Sequence, residues 1–220
     1  GGLDGGRPRT CGPFYAFIRA VDHPVSWPDP IELRGQYASL VPLKAEHAVA
    51  LAVAVRDGEL WKLWYTHVPS PERMAGEIER RLALQVAGSM LPFTVLDPAG
   101  TPVGMTTYMN VDPVYKRVEI GSTWYAQRVQ RTPLNTECKR MLLGHAFDTL
   151  GCIAVEFRTH RLNTQSRRAI ERLGAQLDGI LRAHQRSADG ALRDTAVYSI
   201  TAAEWPTIRQ HLQWQLERAR

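Results

Sequence analysis

From residue 36 onward the chain alternates short strand-like runs with helix-like runs, and that alternation leaves few architectures open. Residues 37–43, with Leu40 and Val41 at their centre, read as a strand, and residues 44–55 as a helix by composition. Residues 71–86 make a stronger helix: Ser70 is the expected N-cap, Pro71 takes the first position, and Arg73 and Glu77 stand four apart. Residues 92–96 and 102–109 flank Asp97-Pro98-Ala99-Gly100 as a hairpin. Residues 115–125 alternate, with Val118, Ile120, Ser122 and Trp124 on one face and Arg117, Glu119, Thr123 and Tyr125 on the other; Gly121 marks a bulge. Thr132-Pro133 then opens a helix whose stripe is Cys138, Met141, Leu142, Ala146 and Leu150, closed by Gly151.

Residues 153–157 are a further strand, and residues 163–173 a helix ending at Gly174. Two strands over 175–184 and 192–201 turn around Asp189-Gly190, and Thr201 to Glu204 has capping-box spacing for a last helix. The expected class is α/β (α+β), a mixed sheet with helices on its faces. Residues 1–35 are rich in Gly and Pro and are expected to be an irregular arm. The first few residues are consistent with an appended remnant, and Trp27 and Ile31 are suited to pin the arm to the core. Residues 36–220 are expected to form one domain, in keeping with a usual domain size of ~100–200 residues.

Composition narrows the function. At 44% hydrophobic and 22% charged, the 220 residues are ordinary for a globular chain. The net charge of +5 is spread thinly, densest at Arg167-Arg168 with Arg172 and at Arg128 with Arg131, so no nucleic-acid partner is expected. No apolar run approaches the ~18–20 residues of a membrane span, and no signal peptide is visible. Three cysteines without C-x-x-C spacing favour a reducing, cytoplasmic setting. The nucleophile-elbow, P-loop, dinucleotide and zinc-protease motifs do not occur, the histidines are scattered, and no metal is expected.

One constellation carries chemistry. A strand bearing Glu119 ends at Trp124-Tyr125, a loop follows, and a helix N-terminus opens over Thr132 to Thr136. Unpaired amides and the helix dipole make such an N-terminus an anion site, with Gln130 and Arg131 as donors at its mouth. The same residues also fit an ordinary strand–helix turn.

Three stretches resemble the GNAT superfamily of acyl-CoA-dependent N-acetyltransferases, most of all its Rim-type branch of ribosomal-protein-alanine N-acetyltransferases. Val118-Glu119-Ile120-Gly121 through Trp124-Tyr125 looks like the family's bulged strand. Gln130-Arg131-Thr132-Pro133-Leu134-Asn135 falls where the family has its [Q/R]-x-x-G-x-[G/A] loop. Asn163-Thr164-Gln165-Ser166 with Leu173-Gly174-Ala175 looks like its Asn-led helix. The resemblance covers about residues 36–205. It implies a mostly antiparallel sheet of about seven strands and transfer from acetyl-CoA to a primary amine, either a protein N-terminus or a small amine. The chain departs from the family's pattern at Pro133, which has no N–H to give, at Asn135, and at Ile170, where the family often carries a tyrosine acid.

By the same resemblance, Glu119 is the expected base and Ser166 the acid or sulfur contact. Thr123, Trp124, Tyr125, Gln130, Arg131, Thr132, Leu134, Asn135, Thr136 and Asn163 are the expected cofactor contacts. Trp61 and Trp64, with Tyr65, are expected to wall the acceptor site, with core packing as the competing reading. For Glu119 the competing reading is a glutamate paired to Arg117 or Lys116; for Ser166, a first-turn residue behind an Asn163 cap. A GNAT-fold protein that binds a CoA ester or a partner without transfer is the alternative function, and a homodimer is compatible with either.

Overall fold

The computed structural model describes residues 27–187 and 189–218. Most of the expected arm, and Cys11 with it, lies outside the described residues. Trp27 and Ile31 do pack against the core, with the Lys116 ammonium 4.6 Å from the centre of the Trp27 ring. Leu33 and Arg34, expected to be irregular, instead form a short strand, β1 (Leu33–Arg34), against β2 (Ser39–Pro42). Glu137 holds this corner by accepting the backbone amides of Gln36, Tyr37 and Ala38.

The remaining elements follow the expected order. They are α1 (Ala48–Arg56), α2 (Met74–Val86), β3 (Met90–Leu96), β4 (Pro102–Asp112), β5 (Arg117–Tyr125) and α3 (Pro133–Gly144), then β6 (Ala154–His160), α4 (Thr164–Glu171), β7 (Gln176–Arg186), β8 (Leu192–Thr201) and α5 (Trp205–Glu217). They build one sheet of eight strands in the order β1-β2-β3-β4-β5-β6-β8-β7. Every neighbouring pair is antiparallel except β5 and β6.

The two faces of the sheet bury different helices. Leu51 and Val55 of α1 and Met74 and Ile78 of α2 pack with Met105 and Trp124 on one face. Cys138 and Leu142 of α3, Ile170 of α4, and Ile208 and Leu212 of α5 pack with Phe93, Tyr108 and Ile120 on the other. At α2 the first turn, Pro71–Arg73, is 3-10, and the Ser70 side chain makes no cap bond. Glu77 pairs with Arg80 and Arg81 rather than Arg73. A glutamate placed N-terminal to its arginine is the better orientation along a helix. The hairpin turn forms as expected, with Asp97 Oδ1 accepting the amides of Ala99 and Thr101 and Gly100 at φ 79°. The α3 segment ends in a wider π turn, His145–Thr149, before Gly151 at φ 66°.

The alternation expected along β5 needs correction. Met105 pairs with Trp124 but Thr107 pairs with Gly121, so β5 carries one extra residue there. That residue is Ser122, at φ 48°, and it reverses the faces beyond it. Trp124 therefore lies with α1 and α2, opposite Val118 and Ile120, while Tyr125 joins Val118 and Ile120. Among the described residues no helix is long and apolar enough to cross a membrane.

Candidate active site

The parallel pair defines the site. β5 and β6 are paired only from Arg117↔Ala154 to Glu119↔Glu156, and beyond that they part. Each then leads into a helix, α3 after β5 and α4 after β6. Two parallel strands deliver both helix N-termini to the same edge of the sheet, so a wedge opens there with two positive dipole ends at its mouth.

At the α3 mouth Thr132 is the N-cap as expected, its Oγ1 accepting the Leu134 amide at 3.3 Å and donating to Val129 O at 2.7 Å. Arg131 sits at φ 61°, in the left-handed region that glycine fills most easily. The other expected contacts are placed unevenly. Gln130 turns back, Nε2 donating to Tyr125 O at 2.9 Å. Leu134 and Tyr125 point into the core, and Trp124 is buried beneath α1 and α2. Thr136 is fully buried, its Oγ1 accepting from Arg172 at 3.3 Å. Any contact from Trp124, Tyr125 or Leu134 is thus a backbone contact, and the Leu134 amide already has a partner. With Pro133 lacking an N–H, the amides of Thr132 and Asn135 are the ones left to meet an anion here. A hollow of about 360 Å³ beside this mouth is lined by Arg128, Val129, Thr132, Tyr37 and Asp97.

At the α4 mouth Asn163 is the cap proper, Oδ1 accepting the Ser166 amide at 3.0 Å. The Ser166 hydroxyl is half-buried and makes no hydrogen bond among the described residues. Ile170 is in the core.

Glu119 lies where β5 and β6 begin to part, 5% exposed. Its partners are neither Arg117 nor Lys116. Asn110 Nδ2 donates to Oε2 at 2.6 Å, and Arg158 Nε stands 3.6 Å away. Arg117 pairs instead with Glu156. Burial pushes the Glu119 carboxyl pKa up, against the pull of Asn110 and Arg158. A second bulge explains Asn110: β4 carries an extra residue between Met109 and Asp112, and Asn110 takes φ 48° there, a conformation asparagine tolerates. Above the bulge of β5, Arg81 of α2, 2% exposed, binds Ser122 O at 3.2 Å and Thr107 Oγ1 at 2.8 Å.

The two tryptophans separate. Trp61 packs on the α1–α2 core, whereas Trp64 is exposed and meets His160 of β6 edge to face at 5.1 Å. Tyr65 stands against Trp64 at 5.5 Å. His160 and His67 are both held below the usual histidine pKa, first by burial and then by the charge of Arg193.

Three contributors escape the sequence reading: Asn110, Arg158 and Lys139. Asn110 and Arg158 act across strands, so only the sheet register reveals them. Lys139 carried a local signal, a lysine four residues after Asn135 and next to the buried Cys138. Its ammonium is buried, donates to Thr123 Oγ1 at 3.0 Å, and has its pKa pushed down by burial to about 8. Thr123 in turn meets Thr106 Oγ1 at 2.8 Å and is itself partly exposed. Among the described residues no cluster could hold a metal ion.

Residues 39–176 match the family described as acetyltransferase (GNAT) domain. The chain belongs to that family of acetyltransferases. It is 31% identical to a GCN5-related N-acetyltransferase from Brucella melitensis, covering 86% of each chain with a TM-score of 0.77. It is 25% identical to RimJ of Mycobacterium smegmatis, solved with CoA-disulfide, covering 86% of this chain and 95% of that one with a TM-score of 0.71. It shares its fold with RimL, a ribosomal L7/L12 alpha-N-protein acetyltransferase, at 16% identity and a TM-score of 0.69, covering 78% of this chain and 94% of that one. No curated protein matches the sequence.

Proposed function

We propose that the chain transfers the acetyl group of acetyl-CoA to a primary amine in the wedge between β5 and β6, with Glu119 as base. The amine nitrogen attacks the thioester carbon. The C–N bond forms as the C–S bond breaks, and sulfur leaves with the electron pair. Glu119 takes the surplus proton from nitrogen, directly or through water. The α3 N-terminus holds the pyrophosphate, Ser166 donates its free hydroxyl toward the leaving sulfur, and Trp64 walls the acceptor.

The observation that carries this reading is Glu119 itself, a buried carboxylate with a raised pKa at the point where a parallel pair parts below two helix N-termini. A base works best with its pKa near the working pH, and burial moves Glu119 in that direction. The Rim-type resemblance makes a protein N-terminus the first acceptor to try, with small amines next. The reading also takes residues 36–220 as one catalytic domain working in the cytoplasm.

The second reading, binding of a CoA ester without transfer, is favoured by the α3 mouth, where Pro133 has no amide and Leu134 has spent its own. Acetyl-CoA incubated with peptides and small amines, followed by free thiol, separates the two. Amine-dependent thiol release supports transfer. A rise in melting temperature with acetyl-CoA but no thiol release supports binding alone.

A further inference from the structure

Arg193 lies on β8, two residues beyond Thr195, which pairs with His160. This spacing places it past the end of β6, on the same face of the sheet as His160 and, through the Glu119↔Glu156 and Glu156↔Ser199 pairs, as Glu119. Its Nε is buried without any partner, and its guanidinium makes no ion pair and no side-chain hydrogen bond among the described residues. Burial penalises its charge, and Glu119 is the carboxylate that offsets it from a distance.

The balance of charge on this face is uneven. Arg117 and Arg158 both bind Glu156, and Arg158 also approaches Glu119. His67 and His160 are held toward their neutral forms. Beside the Arg81–Glu77 pair of α2, three guanidiniums thus face two carboxylates, and Arg193 is the one left over. An amine arrives at neutral pH largely as an ammonium, which this surplus repels. A half-buried guanidinium with an unused fork of donors is complementary to a carboxylate.

We infer that the acceptor is an amine carrying a carboxylate within a few bonds of the nitrogen, held by Arg193 while the nitrogen faces Glu119. The inference rests on the transfer proposed above. The site holds the ammonium by its own anion rather than by an acidic pocket, and Glu119 is left as the group that removes the proton. The carboxylate has two sources, a free amino acid or a peptide whose first residue is acidic.

The test is thiol release from acetyl-CoA with matched acceptors: free amino acids against their amides, and peptides led by Asp or Glu against peptides led by Asn or Gln. The carboxylate member of one series should show kcat/KM about tenfold or more above its neutral partner, the scale of one charged hydrogen-bonded pair. Arg193→Gln should bring that ratio close to one by raising KM for the acid, with KM for acetyl-CoA unchanged. Arg193→Lys should restore part of the preference. Equal use of acids and amides by the wild-type protein overturns the inference and leaves the transferase reading standing. A preference that survives Arg193→Gln in folded protein, or a rise in KM for acetyl-CoA alone, also overturns it. If neither series is acetylated although acetyl-CoA raises the melting temperature, transfer and the acceptor class fall together.

Discussion

Asn110 donates its side-chain amide to Glu119 Oε2 at 2.6 Å, from a bulge in one strand to the expected base in the next. The bond favours the ionised carboxylate, while burial favours the protonated one and prevails. The acid limb of kcat/KM against pH should therefore lie above the ordinary carboxylate range. Asn110→Ala removes a donor to the charged form and should move that limb further toward alkaline pH, as should Arg158→Met. Limbs that stay in place in both variants would mean that Glu119 does not set the profile.

Gly121 leaves room for that carboxylate. A β-carbon built there would stand 2.8 Å from Glu119 Oε1 and 2.7 Å from Met109 Sδ. Both atoms end flexible side chains, so Gly121→Ala should fold while displacing Glu119. Misplacement by about 1 Å can lower turnover by about a hundredfold. Turnover and melting temperature of the variant check this: both near wild-type values would show that the Glu119 position is not critical.

Lys139 predicts a pH dependence of stability. Its pKa falls from 10.5 to about 8 on folding because its charge is desolvated. The unfolded chain binds the extra proton between these values, so stability rises with pH through the window, and the full penalty is present below it. Lys139→Met should raise the melting temperature at pH 7 and flatten the rise above pH 8. At about 1.4 kcal/mol per pKa unit the penalty is about 3 kcal/mol. Denaturant melts of both proteins at pH 7 and pH 10 measure it, and parallel curves would contradict it.

Ser166→Ala should separate capping from chemistry. Asn163 supplies the cap oxygen and the Ser166 hydroxyl has no partner among the described residues, so stability should fall by less than about 1 kcal/mol. A thiol leaves readily, so the rate loss should be about tenfold to a hundredfold, the low end of acid–base help. An unchanged rate per folded molecule would assign the leaving-group proton to another donor.

Much of the fold was legible because its signals are local. Thr132-Pro133, Asn163, Asp97 to Gly100 and the α3 stripe are fixed by caps, turns and periodicity, and all lie where expected. Gly121 announced a bulge, but the extra residue is Ser122, and a one-residue insertion reverses the faces of everything after it. That is why Trp124 and Tyr125 fell on the wrong sides. Glu119 could be named from its strand, yet Asn110 and Arg158 reach it from two other places in the chain, and Arg193 acts on it from a distance. Such neighbours depend on register and strand order, which residue spacing does not carry.

The central claim is that Glu119 removes a proton from the attacking amine, and Glu119→Gln tests it most directly. The amide keeps the size of the side chain but cannot take the proton. With acetyl-CoA and an accepted amine, thiol release at neutral pH should fall by roughly 10²–10⁴-fold, with the acetyl-CoA-induced rise in melting temperature unchanged. The acid limb of the pH profile should vanish. Near-full turnover by a folded Glu119→Gln protein would contradict the account.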